Sequence, residues 1–207
     1  MSPGKFISLE GGEGVGKSTQ ARLLAERLRG RGVDVLQTRE PGGSPGAEII
    51  RDLLLDPTRS WGPRAEALLF AAARADHVAS VIRPALEMGR WVLCDRFVHS
   101  SLAYQGHALG LGTEAIDALH AFGSEALLAD RAILLHADPD ACAERLRLRD
   151  GDKHDRIGAR DAAFHAHVRQ GFEALAARDP ARIRPVDATG APDEVAARVW
   201  AEVEPLL

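Results

Sequence analysis

The 207-residue chain contains no asparagine. That removes the Asn-Lys-x-Asp signature with which guanine-nucleotide switches read their base. Cysteine is almost absent as well. Cys94 and Cys142 stand far apart, fit no metal-binding or redox spacing, and read as two buried thiols in a reducing compartment. Aromatic residues make up 5% and include a single tyrosine, Tyr104, so the core has to be built from Ala, Leu, Val and Ile. No apolar run reaches the roughly 18 residues needed to span a bilayer, and no membrane span is expected. The first residues lack the pattern of a secretory signal, which points to the cytoplasm. Positive charge is not in excess either. A formal net charge of −4 argues against broad nucleic-acid binding, since such domains are usually basic. The eight histidines match no ligand or catalytic spacing and read as surface or helix residues.

What is present is a regular alternation of strand and helix patterns over residues 1–207, with no repeat or linker, as in one α/β domain. Phe6-Ile7-Ser8-Leu9, Val33-Asp34-Val35-Leu36, Trp91-Val92-Leu93-Cys94 and Arg131-Ala132-Ile133-Leu134-Leu135 are strand-like. Ile183-Arg184-Pro185-Val186 is a weaker strand, and its proline predicts an edge or a strand end. Helical patterns cover about 17–29, 47–55, 64–88 with a possible kink at Pro84, 114–121, 139–148, 160–178 and 192–204. Continuous apolar strands separated by helices predict a parallel sheet of about five strands covered on both faces.

Between the first strand and the first helix lies Gly11-Gly12-Glu13-Gly14-Val15-Gly16-Lys17-Ser18-Thr19. This is the phosphate-binding pattern G-x-x-x-x-G-K-S in the right context, so the fold class expected is a P-loop NTPase. Glycines let backbone N–H groups converge on one anion at a helix N-terminus, Lys17 reaches the β- and γ-phosphates, and Ser18 is placed to ligate Mg2+. The ligand implied is ATP. A motor ATPase usually ends its third core strand in Asp-Glu. Here the strand ends in Asp95-Arg96, and a cation at that position suits a second anion, a phosphoryl acceptor.

Several further runs are not general to P-loop proteins: Thr38-Arg39-Glu40-Pro41-Gly42-Gly43, Leu69-Phe70-Ala71-Ala72-Ala73-Arg74, Asp95-Arg96-Phe97, Ser100-Ser101-Leu102-Ala103-Tyr104-Gln105-Gly106 and Asp155-Arg156-Ile157. Together they resemble the thymidylate kinases, of the bacterial type, over nearly the whole chain. The resemblance implies transfer of the γ-phosphoryl of ATP to dTMP in dTTP synthesis, a Mg2+ held by Ser18, with Asp95 orienting an arginine or a water bound to that Mg2+, and a homodimer built on the helix near 64–88. It implies that Phe70 stacks on thymine, that Arg74 hydrogen-bonds the base, and that Ser100, Ser101 and Gln105 surround it. Glu40 and Pro41 would line the acceptor pocket, while Arg96 and Arg51 hold the acceptor phosphate. Tyr104 would lie beneath the sugar and disfavour a 2′-hydroxyl, and Glu13 would contact the 3′-hydroxyl. Some relatives carry an arginine at the position of Gly14. Its absence moves the expected catalytic charge to a small lid at about 149–160, with Arg149 and Arg156 facing phosphate and Arg145 against adenine, near the turn Asp187-Ala188-Thr189. The lid departs from the family pattern in having Gly158 where many relatives have Glu, and in its length before Asp155. Kinases for other monophosphates, such as dUMP or a deoxycytidylate, and a non-catalytic nucleotide-binding module remain as alternatives.

Overall fold

The structure, a computed structural model, describes residues 4–150 and 155–207, without the side chains of Arg149 and Asp150. Five parallel strands form one sheet in the order β2-β3-β1-β4-β5. They are β1 (Phe6–Glu10), β2 (Val35–Arg39), β3 (Trp91–Asp95), β4 (Arg131–His136) and β5 (Ile183–Asp187). The helices are α1 (Lys17–Gly30), α2 (Pro45–Leu55), α3 (Pro63–His77), α4 (Arg83–Glu87), α5 (Val98–Ser101), α6 (Thr113–Ser124), α7 (Pro139–Asp150), α8 (Ala162–Arg178) and α9 (Pro192–Val203).

Side chains alternate across the pleat and feed two cores. Phe6, Val92, Cys94, Ala132 and Leu134 pack on one face with Val78, Phe97, Tyr104, Ile116 and Phe172. Ile7, Leu9, Leu93, Ile133 and Leu135 pack on the other with Leu24 and Leu28 of α1 and Val199 and Trp200 of α9. Both cysteines are buried and unpaired in disulfides, Cys94 in the first core and Cys142 in the second. Pro185 lies on the edge strand β5, which pairs only with β4. Among the described residues no helix is long and apolar enough to cross a membrane.

Four local differences from the sequence reading have physical causes. Strand β2 starts at Val35 rather than Val33, because Val33 still donates its N–H to Leu28 O as the chain leaves α1 through Gly32. The helix expected over 64–88 widens at Val78–Ile82, where Arg83 N–H reaches back to Val78 O. Pro84 supplies no N–H and its ring needs room in the preceding turn, which a widened turn provides. Residues 98–108 are helical, as α5 followed by a wide turn at Leu102–Ala108. Their Ser and Gly content hides this in the sequence, but Leu102, Ala103, Tyr104 and Gln105 are all buried, and packing overrides propensity. Finally, His77, His99 and His120 lie in helices, as the reading allowed, but on buried rather than exposed faces. Burial pushes the His120 imidazole down to about 4, so it is neutral, and its Nε2 lies 2.6 Å from Leu127 O as a donor.

Candidate active site

Strands β1 and β3 run in register, Leu9 beside Asp95, so their carboxyl ends deliver the Gly11–Ser18 loop and the Asp95-Arg96 turn to the same edge. Gly16 ends the loop with φ of 97°, a left-handed conformation that glycine adopts without strain, and α1 starts at the next residue. Lys17 is buried and folds back on the loop, donating from Nζ to Gly12 O at 2.6 Å and Gly11 O at 3.3 Å. Burial, and then the nearby Arg96 charge, lower its pKa to about 8. Ser18 Oγ donates to Asp95 Oδ2 at 2.7 Å. Gly14 also has positive φ, 72°, and a Cβ there would collide with Cys142 O of α7. The loop is therefore packed directly beneath α7, which explains why no arginine stands at this position. From the same helix Arg145 donates to Ala188 O at 3.2 Å, joining the two segments expected around adenine.

Arg96 is the hub of the opposite wall. It takes φ of 71°, unusual outside glycine, which turns its guanidinium back over the loop. Its Nη1 donates to Gly11 O at 2.8 Å and Ser100 Oγ at 3.1 Å, and its Nη2 to Glu13 Oε1 at 2.6 Å and Tyr104 Oη at 3.2 Å. The Arg96 guanidinium holds the Glu13 carboxyl down at about 2, so Glu13 is ionised at any working pH. Behind this turn the fully buried Glu10 accepts from Phe97 N at 3.0 Å and Ser100 Oγ at 2.6 Å, tying the strand end to α5.

Along α3, Glu66, Phe70, Arg74 and His77 fall at spacings of four, four and three and so share one face. Arg74 is buried, with Nε on Glu40 Oε2 at 2.7 Å and Nη2 on Ser101 Oγ at 2.8 Å. His77 contacts the other oxygen of Glu40 at 3.1 Å and Thr38 Oγ1 at 2.7 Å. Arg74 is thus clamped between β2's end and α5 before any ligand arrives. Arg51 donates to Pro41 O at 2.7 Å, and Arg39 to Glu48 at 3.0 Å.

These walls enclose a cleft of about 570 Å3. Its volume falls in the range typical of small-molecule sites.

The thymidylate kinase family model matches residues 9–199. The thymidylate kinase of Rhizorhabdus wittichii is 58% identical over 206 residues, spanning 99% of either chain. That of Synechococcus sp. (strain JA-2-3B'a(2-13)) is 48% identical over 204 residues, 98% of this chain and 95% of the relative. The crystal structure of thymidylate kinase from Ehrlichia chaffeensis superposes with a TM-score of 0.80 at 31% identity, covering 98% of this chain and 99% of the other.

The chain belongs to the thymidylate kinase family.

Membership makes it an ATP-dependent nucleoside monophosphate kinase, and the cleft can be compared with what the thymidylate kinase resemblance led one to expect. Glu13, Gly14, Gly16, Lys17, Ser18, Thr19, Asp95 and Arg145, expected around the phosphate loop, line it. Glu40, Pro41, Arg51, Phe70, Arg74, Arg96, Ser100, Ser101, Tyr104 and Gln105, expected around an acceptor, line it too. Gly11, Gly12 and Val15 lie behind that lining, Gly11 and Gly12 as the acceptors for Lys17 and Val15 buried in the core. Arg149 has its side chain outside the described residues, as does the 151–154 part of the expected lid.

Arg156 differs from expectation. It is absent from the cleft lining; it donates from Nε to Leu54 O at 2.7 Å and from Nη1 to Glu66 Oε2 at 2.8 Å. The reason is Glu66. It is fully buried, and a buried carboxylate left without cationic partners costs several kcal/mol, so it draws in both Arg156 and Arg160. Sequence reading also passed over Arg39 and Asp155, which line the cleft, and Glu66, His77 and Arg160. Arg39 and Asp155 lay inside motifs already singled out, and the helical spacing with Phe70 and Arg74 was the signal for Glu66 and His77.

Proposed function

We propose that this cleft transfers the γ-phosphoryl of ATP to dTMP, giving ADP and dTDP. The single observation that carries the reading is the meeting, in one cleft, of a Gly11–Ser18 phosphate loop with an Arg96-centred wall and the Phe70–Arg74 pair. Phe70 offers a planar apolar surface to a base, and Arg74 offers a pre-fixed donor to a carbonyl oxygen. Tyr104, at the foot of the Arg96–Glu13 pair, sits under the sugar. In the free protein Glu13 occupies Arg96. The acceptor phosphate takes over Arg96 and Arg51, and Glu13 turns to the sugar 3′-hydroxyl.

The donor phosphates lie on the loop amides, with Lys17 following the transferred group and Arg145 beside adenine. Ser18 and Asp95, both oxygen-bearing and joined to each other at the loop's mouth, would hold a Mg2+. When bound, that ion neutralises the β- and γ-phosphates. No general base is needed, because the acceptor phosphate is already largely deprotonated near neutral pH. Catalysis is then alignment plus charge stabilisation from Lys17, Arg96 and the lid arginine Arg149.

A coupled ADP-release assay across dTMP, dUMP and dCMP tests the reading. The highest kcat/KM is expected with dTMP, and equal values for dTMP and dCMP would refute it.

A homodimer is the second part of the proposal. Ile49 on α2, Leu68 on α3 and Phe122 on α6 are all exposed, Phe122 at 92%, and α2 and α6 both pack against α3. A second copy of the chain covers this row of helices. Light scattering is expected to give twice the 22.2 kDa chain mass, and Leu68→Glu to shift the protein toward monomer; a monomeric wild type ends this part of the proposal.

A further inference from the structure

Glu66 is fully buried and has three polar partners to account for. Arg156 Nη1 at 2.8 Å and Arg160 Nη2 at 2.5 Å both donate to its Oε2. Its other oxygen, Oε1, accepts from Gln105 Nε2 at 2.9 Å. A carboxylate facing two guanidinium groups accepts on both oxygens and has no hydrogen to give. Gln105 must therefore present its amino end to Glu66; the opposite amide orientation would set a carbonyl against a carboxylate. Gln105 also lines the cleft, and its Oε1 accepts no hydrogen bond from the described residues. The amide is thus polarised in one sense, donor inward and acceptor toward the bound base.

We infer that Glu66 is a specificity-determining positioning residue: by fixing the amide of Gln105 with its carbonyl toward the cleft, it selects an acceptor base that carries a ring N–H over one that presents a bare ring nitrogen. The inference rests on the reading that this part of the cleft holds the acceptor base. Thymine and uracil offer an N3–H donor to that carbonyl. Cytosine offers an N3 lone pair, which faces Gln105 Oε1 acceptor to acceptor. Arg74, clamped by Glu40 and Ser101, reinforces the choice by donating where cytosine carries an amino group. Glu66 touches no substrate; it acts only through Gln105.

The readout is the ratio of kcat/KM for dTMP to that for dCMP. Sites built on a specific hydrogen bond reject mispaired analogues by as much as about 10^4–10^5-fold, so the ratio has room to move. In Glu66→Gln the new amide can turn its own NH2 to Gln105, both orientations of Gln105 become populated, and the ratio is expected to fall by about 10^2-fold. Glu66→Asp keeps an acceptor-only partner and is expected to hold the ratio within about threefold, even where overall activity drops. A merely structural role lowers both substrates together; an unchanged ratio in Glu66→Gln, or an equal collapse in Glu66→Asp, overturns the inference. Should Glu66→Gln not fold, Gln105→Leu reads the same contact from the other side, and a retained ratio there overturns it equally. A wild-type ratio near one is a different failure, that of the thymidylate reading itself.

Discussion

Replacing Arg96 by alanine is expected to raise the KM for dTMP by about 10^2–10^3-fold while the KM for ATP stays within a few-fold. The magnitude follows from what the guanidinium does. Hydrogen bonds to a charged group contribute about 1.5–3 kcal/mol each, and a forked contact to phosphate supplies two. In the free protein the same fork holds Gly11 O, Ser100, Glu13 and Tyr104, so it is already aimed before substrate arrives. Removing it does further harm, because Glu13 is left as an unpaired carboxylate beside the place where an anion must bind. ATP is affected much less, since its phosphates lie on the loop amides and Lys17. Arg96→Lys restores the charge without the fork and is expected to recover only part of the loss. Steady-state kinetics with each substrate varied in turn makes the comparison. Equal increases in both KM values would mean that Arg96 supports the whole cleft rather than the acceptor.

The fold and the phosphate loop were legible because their information is local. Eight consecutive residues specify the loop, and β3 and β4 announce themselves as unbroken apolar runs. The acceptor side was legible only where its residues sit in compact motifs, such as Phe70 with Arg74 or Ser100 through Gln105. What escaped reading is long-range. Arg74 meets Glu40 across 34 residues and Arg156 meets Glu66 across 90. A glutamate or arginine on a helix reads the same in sequence whether it faces water or a buried counter-charge. That is why Arg156 was expected on phosphate and Glu66 was passed over. Gly14 is a mixed case. Its lack of a side chain was visible at once, but the cause, the carbonyl of Cys142 from α7 lying where a Cβ would stand, exists only in the folded chain. Histidines escaped for the same reason: the neutral His120 and the fully buried His77 have no sequence signature that sets them apart from exposed ones.

Replacing Lys17 by alanine is expected to lower kcat for dTMP-dependent ADP production by about 10^3-fold, the upper range for losing one preorganised charge at the transition state. The side chain is buried and already folded onto Gly11 and Gly12, so phosphate meets a cation held in place rather than one recruited from solvent. That placement has a cost that can be measured. Burial first, and the neighbouring Arg96 second, bring its pKa to about 8, so above that pH the free protein increasingly carries a neutral Lys17. Bound phosphates favour the charged form and raise the pKa again. The sign follows directly: ATP binding just above pH 8 takes up protons, and ATP affinity declines as pH rises further. Calorimetric titrations at pH 8.5, run in buffers of different ionisation enthalpy, are expected to register this uptake in the wild type (about half a proton or more) and to lose it in Lys17→Ala. Activity that survives Lys17→Ala undiminished would mean that the Gly11–Ser18 loop does not carry the phosphoryl transfer, and proton uptake that survives it would assign the titration to another group.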